Sequence, residues 1–231
     1  MQQQGTYRHE LKYVIGTADY LAIRQRLRPV MKPDPHAGAD GRYRICSIYF
    51  DNLEDKALRE KINGVARREK FRIRYYNDDL SFLTLEKKIK HNDLCMKLDA
   101  PLSQAACRAL LAGRTGWMMT DPSELVRELY CKMNSQQLRP RVLVRYTREP
   151  YLYAPGHVRV TFDCGLRTSL FERPQLRPAS GRDVSAAQHP GQRIMEIKYD
   201  AFLPEIISAL VQTQGVRQQA FSKYGACRRF G

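Results

Sequence analysis

The chain has 231 residues, 43% of them hydrophobic and 10% aromatic, with 39 Lys and Arg against 24 Asp and Glu and a formal charge of +15. Enough apolar side chains are present to bury a core, which excludes a disordered basic tail or a low-complexity linker. The length suits one domain over 1–231 with a core at about 6–224. So much uncompensated charge on a folded domain implies a polyanionic partner.

No window approaches the roughly 18 consecutive apolar residues of a membrane-spanning helix, and MQQQGTYRHELKY at the start lacks an apolar targeting region. The reading is a soluble, cytoplasmic protein that would leave any membrane step to a separate partner. The six cysteines stand singly, without CxxC spacing, and read as reduced thiols. The five histidines show no ligand spacing.

In chain order, 7–15 alternates as a strand and sets Arg8, Glu10 and Lys12 on one face. Residues 17–27 open on Thr17 as a cap candidate and read as a surface helix before Pro29. A strand over 42–51 meets a helix over 52–61, and Tyr49 and Asp51 read as structural residues at that junction. In the strand 69–76, Lys70, Arg72 and Arg74 share a face opposite Phe71, Ile73 and Tyr75. The strand 82–90 places Glu86, Lys88 and Lys90 opposite Leu85 and Ile89.

A further strand at 94–99 precedes helices at 102–111, stopping at Gly113, and 122–133, with Asp121 as cap and Pro122 in its first position. In 141–148, Arg141 and Arg145 share a face and Arg148 has the opposite parity. In 158–166, Arg159, Thr161 and Asp163 lie opposite Val158, Val160 and Phe162. The stretch 174–192 is rich in Pro, Gly, Ser and Ala without periodicity and is predicted to be a mobile surface loop. The strand 193–199 sets Glu196 and Lys198 opposite Ile197 and Tyr199, and a helix over 204–212 begins on a proline.

Eight strands braced by short helices predict an α+β fold built on an antiparallel sheet or barrel. The charged faces have two readings. They are the solvated side of a half-buried sheet, or they point into the lumen of a closed barrel whose apolar outer face the helices cover. Repetition of an acid followed two residues on by a base favours the lumen. A lumen with surplus cations would take a polyphosphate-like anion, and its few acids suit a divalent metal.

The motifs R-x-E-x-K-Y (Arg8 to Tyr13), S-I-Y-F-D (Ser47 to Asp51), K-x-R-x-R (Lys70 to Arg74), L-E-x-K (Leu85 to Lys88), V-x-Y-x-R (Val144 to Arg148), R-V-T-F-D (Arg159 to Asp163), E-I-K-Y (Glu196 to Tyr199) and S-K-Y (Ser222 to Tyr224) run in order along nearly the whole chain. Together they resemble the VTC domain, the polyphosphate polymerase domain of the vacuolar transporter chaperone family, in its stand-alone bacterial form. That resemblance implies a triphosphate tunnel metalloenzyme, CYTH-like in fold: an eight-stranded antiparallel barrel holding a triphosphate and Mn2+ or Mg2+. It implies an ATP-binding phosphotransferase that adds the γ-phosphoryl group of ATP to inorganic polyphosphate.

By the same resemblance, Lys12, Lys70, Arg72, Arg74, Lys88, Lys90, Arg145, Arg159, Lys198 and Lys223 would hold phosphate. Catalysis would fall to Lys70, Arg72, Arg74, Lys88, Lys198 and Lys223. Glu196 is the first choice as metal ligand, with Glu10 and Asp163 after it, while Glu86 would neutralise Lys88 or Lys198. The hydrolase branch of the superfamily carries E-x-E-x-K on its first strand, and Arg8 stands in place of the first glutamate. A triphosphatase of the same fold and a non-catalytic polyphosphate or nucleotide sensor are the alternatives. No helix-turn-helix, zinc-finger or RNA-binding aromatic pattern supports a nucleic-acid partner.

Overall fold

Alternating apolar residues need a covered face, and the chain supplies it by closing its sheet and packing helices on the outside. The computed structural model describes residues 6–169, 173–179, 183–187 and 189–229. Its long strands are β1 (Arg8–Ile15), β3 (Tyr43–Asp51), β4 (Arg67–Tyr76), β5 (Asp79–His91), β6 (Leu94–Leu102), β7 (Arg139–Tyr153), β8 (Val158–Ser169) and β10 (Arg193–Tyr199), with two short ones, β2 (Lys32–Pro33) and β9 (Asp183–Ser185). The sheet order is β2-β7-β3-β4-β5-β6-β1-β10-β8-β9, and an added β7–β8 pairing closes eight strands into a ring. Every neighbouring pair is antiparallel.

Helices α1 (Thr17–Leu27), α2 (Lys56–Ile62), α3 (Gln104–Leu111), α4 (Glu124–Ser135) and α5 (Glu205–Val211) lie close to the expected spans, and α6 (Lys223–Arg228) is new. Ser103 caps α3 by accepting from the Ala106 amide at 3.1 Å. Gly113 ends it at φ +80°, where a side chain would be strained. Asp121 is not the cap of α4. That position belongs to Ser123, whose amide donates to Asp121 at 2.9 Å.

Two apolar layers wrap the ring. Leu110 of α3 and Leu125, Val126, Leu129 and Met133 of α4 pack on Phe71, Ile73 and Leu85, the outward residues of β4 and β5. Tyr20, Ile23 and Leu27 of α1 and Ile207 and Val211 of α5 cover Val158, Val160, Phe162, Met195 and Ile197. With their apolar partners outside, Lys70, Arg72 and Arg74 have only the interior to occupy. Leu129 is 0% exposed. Leu129→Ala is therefore expected to lower unfolding free energy by about 3 kcal/mol, read as a lower urea midpoint at unchanged slope.

A third apolar group differs, because Tyr49, Val142, Val144 and Tyr146 face inward at one end, where Tyr224 and Cys227 of α6 fill the space. Asp51 fixes that corner. Its carboxylate accepts from the Ala57 and Leu58 amides of α2 at 2.9 and 3.2 Å and from the Tyr224 hydroxyl at 2.5 Å.

In the stretch 174–192, expected to be a loop, the described residues hold one short strand and are otherwise without regular structure, and 180–182 and 188 lie outside the described residues. Three of its residues form β9 against β8. Leu176 joins the outer core, and the Arg177 carbonyl accepts from the Tyr75 hydroxyl at 3.0 Å. A three-residue strand is too short to show alternation. Among the described residues no helix is long and apolar enough to cross a membrane.

Candidate functional site

The ring encloses a cavity of about 690 Å³. Its wall is built from alternate residues of the strands, as the pleat requires. Glu10 and Lys12 come from β1, Lys70, Arg72 and Arg74 from β4, Glu86, Lys88 and Lys90 from β5, Arg159 from β8, and Glu196 and Lys198 from β10. Lys223, in the first turn of α6, enters from the filled end. Ser222 holds that turn by accepting from the Gly225 amide at 3.1 Å.

Three carboxylates organise these cations. Glu196 lies 2.5 Å from Lys223, 3.4 Å from Arg148, 3.5 Å from Lys12 and 3.8 Å from Lys198. Burial alone would raise its pKa, but Lys223, Lys12 and Lys198 hold it well below the usual carboxylate range. Glu10 sits 2.7 Å from Lys88, 3.1 Å from Lys12 and 3.6 Å from Lys198, and is likewise held ionised against its burial. Glu86 lies 2.6 Å from Arg72 and 3.6 Å from both Arg74 and Lys97, not against Lys88 or Lys198 as expected.

Lys70 stands apart. Among the described residues it has no ion pair, and its ammonium lies 4.9 Å from the Tyr224 ring. Burial, then repulsion from Lys12 and Arg68, pushes its pKa down to about 7. Burial also pushes Lys198 down to about 8 despite Glu10 and Glu196.

Two expected site residues are placed elsewhere. Arg145 is on the outer face of β7, where it meets Asp78 at 2.8 Å and Asp183 at 3.2 Å and donates to the Arg177 carbonyl. The lumen parity on β7 belongs instead to Tyr146 and Arg148. Asp163 does not line the cavity. It is 0% exposed, accepts from Nε and Nη2 of Arg148 at 2.7 Å each, and meets Lys223 at 2.6 Å. It positions those two cations from behind the cavity wall, whereas Glu196 and Glu10 line the cavity itself.

Other lumen residues went unassigned in the sequence. Tyr49, expected to be structural, accepts from Arg72 Nη1 at 2.7 Å, and burial does not keep its hydroxyl pKa from falling beside Arg72 and Arg74. Lys61 and Arg68 line one mouth. Arg8 lines the cavity too and pairs with Asp200 at 2.7 Å. Adjacent parity on β3 would have exposed Tyr49, but Lys61 lies on α2 and no local pattern brings it to a strand end.

Among the described residues no group of three His, Cys, Asp or Glu is placed to hold a metal ion by itself. Glu196 and Glu10 are two of the four carboxylates that line the cavity among the described residues, and both lie among its lysines. A hard cation takes oxygen donors and accepts one or two carboxylates when phosphate and water complete its shell. The donor set fits Mn2+ or Mg2+ shared with a phosphate ligand, and does not fit a metal held by protein alone.

No curated protein matches the chain. Two solved bacterial structures, each described as a "putative adenylate cyclase", share its fold. One from Vibrio parahaemolyticus is 10% identical with a TM-score of 0.53, covering 96% of this chain and 98% of its own. One from Bacillus halodurans is 14% identical with a TM-score of 0.50, covering 89% and 86%. The VTC domain model matches residues 7–230, nearly the whole chain. The chain is a member of the VTC domain family and has its triphosphate tunnel fold.

Proposed function

We propose that the chain is a metal-dependent polyphosphate polymerase that transfers the γ-phosphoryl group of ATP to the end of an inorganic polyphosphate. The observation that carries this reading is the closed lumen in which Lys and Arg from β1, β4, β5, β8, β10 and α6 surround a cavity that, among the described residues, has four lining carboxylates. A triphosphate fits that surplus of positive charge.

Phosphoryl transfer spreads charge over the equatorial oxygens, so fixed cations and positioning supply most of the catalysis. Arg72, held by Glu86 and Tyr49, and Arg74 present guanidinium groups to phosphate oxygens in a bidentate fork. Lys12, Lys88, Lys198 and Lys223 lie on Glu10 and Glu196 without ligand, and phosphate oxygens would take over part of that pairing. In the reaction the bond from the γ-phosphorus to the β,γ-bridging oxygen breaks and ADP leaves with that electron pair. A terminal oxygen of the acceptor chain, already anionic at neutral pH, forms the new bond. A metal held by Glu196, with Glu10, would neutralise phosphate charge.

Purified protein incubated with γ-labelled ATP and Mn2+ or Mg2+, with and without a polyphosphate primer, is expected to give a ladder of labelled chains. Release of orthophosphate alone would identify a triphosphatase, and tight binding without turnover a sensor.

The lysines make binding depend on pH. A bound anion favours the ammonium form, so Lys70, near pKa 7 without ligand, and Lys198, near 8, take up protons as triphosphate enters. Affinity should be highest below pH 7 and fall as pH rises from about 7 to 9. Calorimetry in buffers of different ionisation enthalpy should show proton uptake near pH 8. Lys70→Arg, which stays charged, should flatten the lower part of the profile.

A further inference from the structure

Lys70 lines the cavity without a counter-ion among the described residues, and its ammonium faces the Tyr224 ring at 4.9 Å. Its neighbours are better served. Lys12, Lys88 and Lys198 each have Glu10 within 3.6 Å, and Lys223 has Glu196 at 2.5 Å. On β4 the residues that share the lumen face with Lys70 are Arg68 and Arg72, and across the ladder on β5 it stands opposite Lys88. Lys12 of β1 adds a further cation. The acid whose charge reaches it is Asp51, which is 0% exposed and already accepts from the Ala57 and Leu58 amides and the Tyr224 hydroxyl.

A half-buried lysine set among cations gives up its proton readily, and the free amine is a nucleophile. With the pKa pushed down to about 7, roughly half of Lys70 is amine at neutral pH, against about 1 in 10³ for an ordinary lysine. The lumen adds selection. Lys88, opposite Lys70, and Lys12 rest on Glu10 at 2.7 and 3.1 Å and are placed to take phosphate oxygens. An electrophile that carries its own phosphate is held beside the amine, and an uncharged one is not. The class that fits is the acyl phosphate, in which a carbonyl carbon is joined through oxygen to a phosphate group.

We propose that Lys70 is a modification site for acyl phosphates, whose phosphate group the lumen cations hold while the Lys70 amine takes the acyl group. The inference rests on the reading of the lumen as a phosphate site and gives that site a second reactant. The Nζ lone pair forms a bond to the carbonyl carbon, and the bond from that carbon to the phosphate oxygen breaks. Inorganic phosphate leaves with the electron pair and takes the proton that the nitrogen loses. Nothing is oxidised or reduced. The product is a neutral amide, so acylation removes a cation that triphosphate would otherwise recruit. Triphosphate in turn protects Lys70 twice, by occupying the same cations and by returning the amine to ammonium.

The full chain is incubated with acetyl phosphate at neutral pH, and acetylation of each lysine is followed by peptide mass spectrometry. Lys70 is expected to react at least about 10-fold faster than Lys32, exposed on β2. Its rate should saturate with acetyl phosphate while that of Lys32 rises linearly. With an uncharged donor, N-hydroxysuccinimidyl acetate, the preference for Lys70 over Lys32 should shrink by about 10-fold, because nothing holds the donor in place. Inorganic triphosphate should slow Lys70 by at least about 10-fold and leave Lys32 unchanged. Acetylated protein should bind triphosphate about 10-fold more weakly, whereas Lys70→Arg treated in the same way should keep the affinity it had before treatment.

Reaction of Lys70 no faster than Lys32, a rate that does not saturate, or an equal preference with the uncharged donor would each overturn the proposal. In those cases triphosphate binding, measured by calorimetry on the same protein, keeps the lumen reading standing. Equal loss of affinity on acetylating Lys70→Arg would assign the effect to another lysine and overturn it too. If triphosphate neither binds nor protects Lys70, the lumen reading fails and this inference with it.

Discussion

Glu196→Gln is expected to abolish metal-dependent turnover, lowering kcat by at least about 10³-fold, while the fold persists. Glutamine keeps the shape of the side chain and loses the charge that a divalent cation needs. Glu196 is also the counter-ion that Lys12, Arg148, Lys198 and Lys223 share in the unliganded tunnel. Its removal leaves Glu10 and Asp163 to compensate them. At 5% exposure water cannot substitute, so the unliganded variant should be less stable by about 3 kcal/mol. Triphosphate would replace the missing charge, and the ligand-induced rise in melting temperature should be larger in the variant than in the unaltered protein. Turnover and thermal melts with and without triphosphate test both halves. Unchanged turnover would show that Glu196 is not the metal ligand. Lost turnover without the larger ligand-induced shift would show that it is not the tunnel's counter-ion.

The barrel was legible because its strands alternate so regularly. Lys70, Arg72 and Arg74 opposite Phe71, Ile73 and Tyr75 leave one solution once Phe71 and Ile73 are covered from outside by α4. Arg145 and Arg148 show where that logic weakens. Both parities of β7 carry arginine, both arginines end up buried, and only the ion pairs with Asp78 and Asp183 on one side and Asp163 on the other separate them. Those acids come from remote positions. α6 was hidden because a six-residue helix shows less than two turns of periodicity, and Lys223 could be assigned only through the S-K-Y match. β2 and β9 are too short to alternate. The partition of Glu86 towards Arg72 follows from cross-strand register, Arg72 opposite Glu86 and Lys70 opposite Lys88, which alternation along single strands does not reveal.

Arg72→Ala is expected to raise the Kd for triphosphate by about 10² to 10³-fold, on the order of 3 to 4 kcal/mol. Two losses add. The first is the fork that Arg72 offers to phosphate, aimed by its Nε and Nη2 on Glu86 at 2.7 and 2.6 Å and its Nη1 on the Tyr49 hydroxyl at 2.7 Å. The second is electrostatic. Without Arg72, the nearest cations to Glu86 are Arg74 and Lys97, each at 3.6 Å, and a buried carboxylate less well compensated repels the incoming anion. Arg72→Lys should therefore recover part of the affinity, since it restores the charge without the planar fork. Arg72→Ala combined with Glu86→Gln should recover another part, because the repelling carboxylate is gone while the fork stays absent. Calorimetric titration of the three variants separates the two contributions. Equal affinity of Arg72→Ala and the unaltered protein would mean that triphosphate does not lie against β4, and a double variant no better than Arg72→Ala would assign the whole loss to the fork.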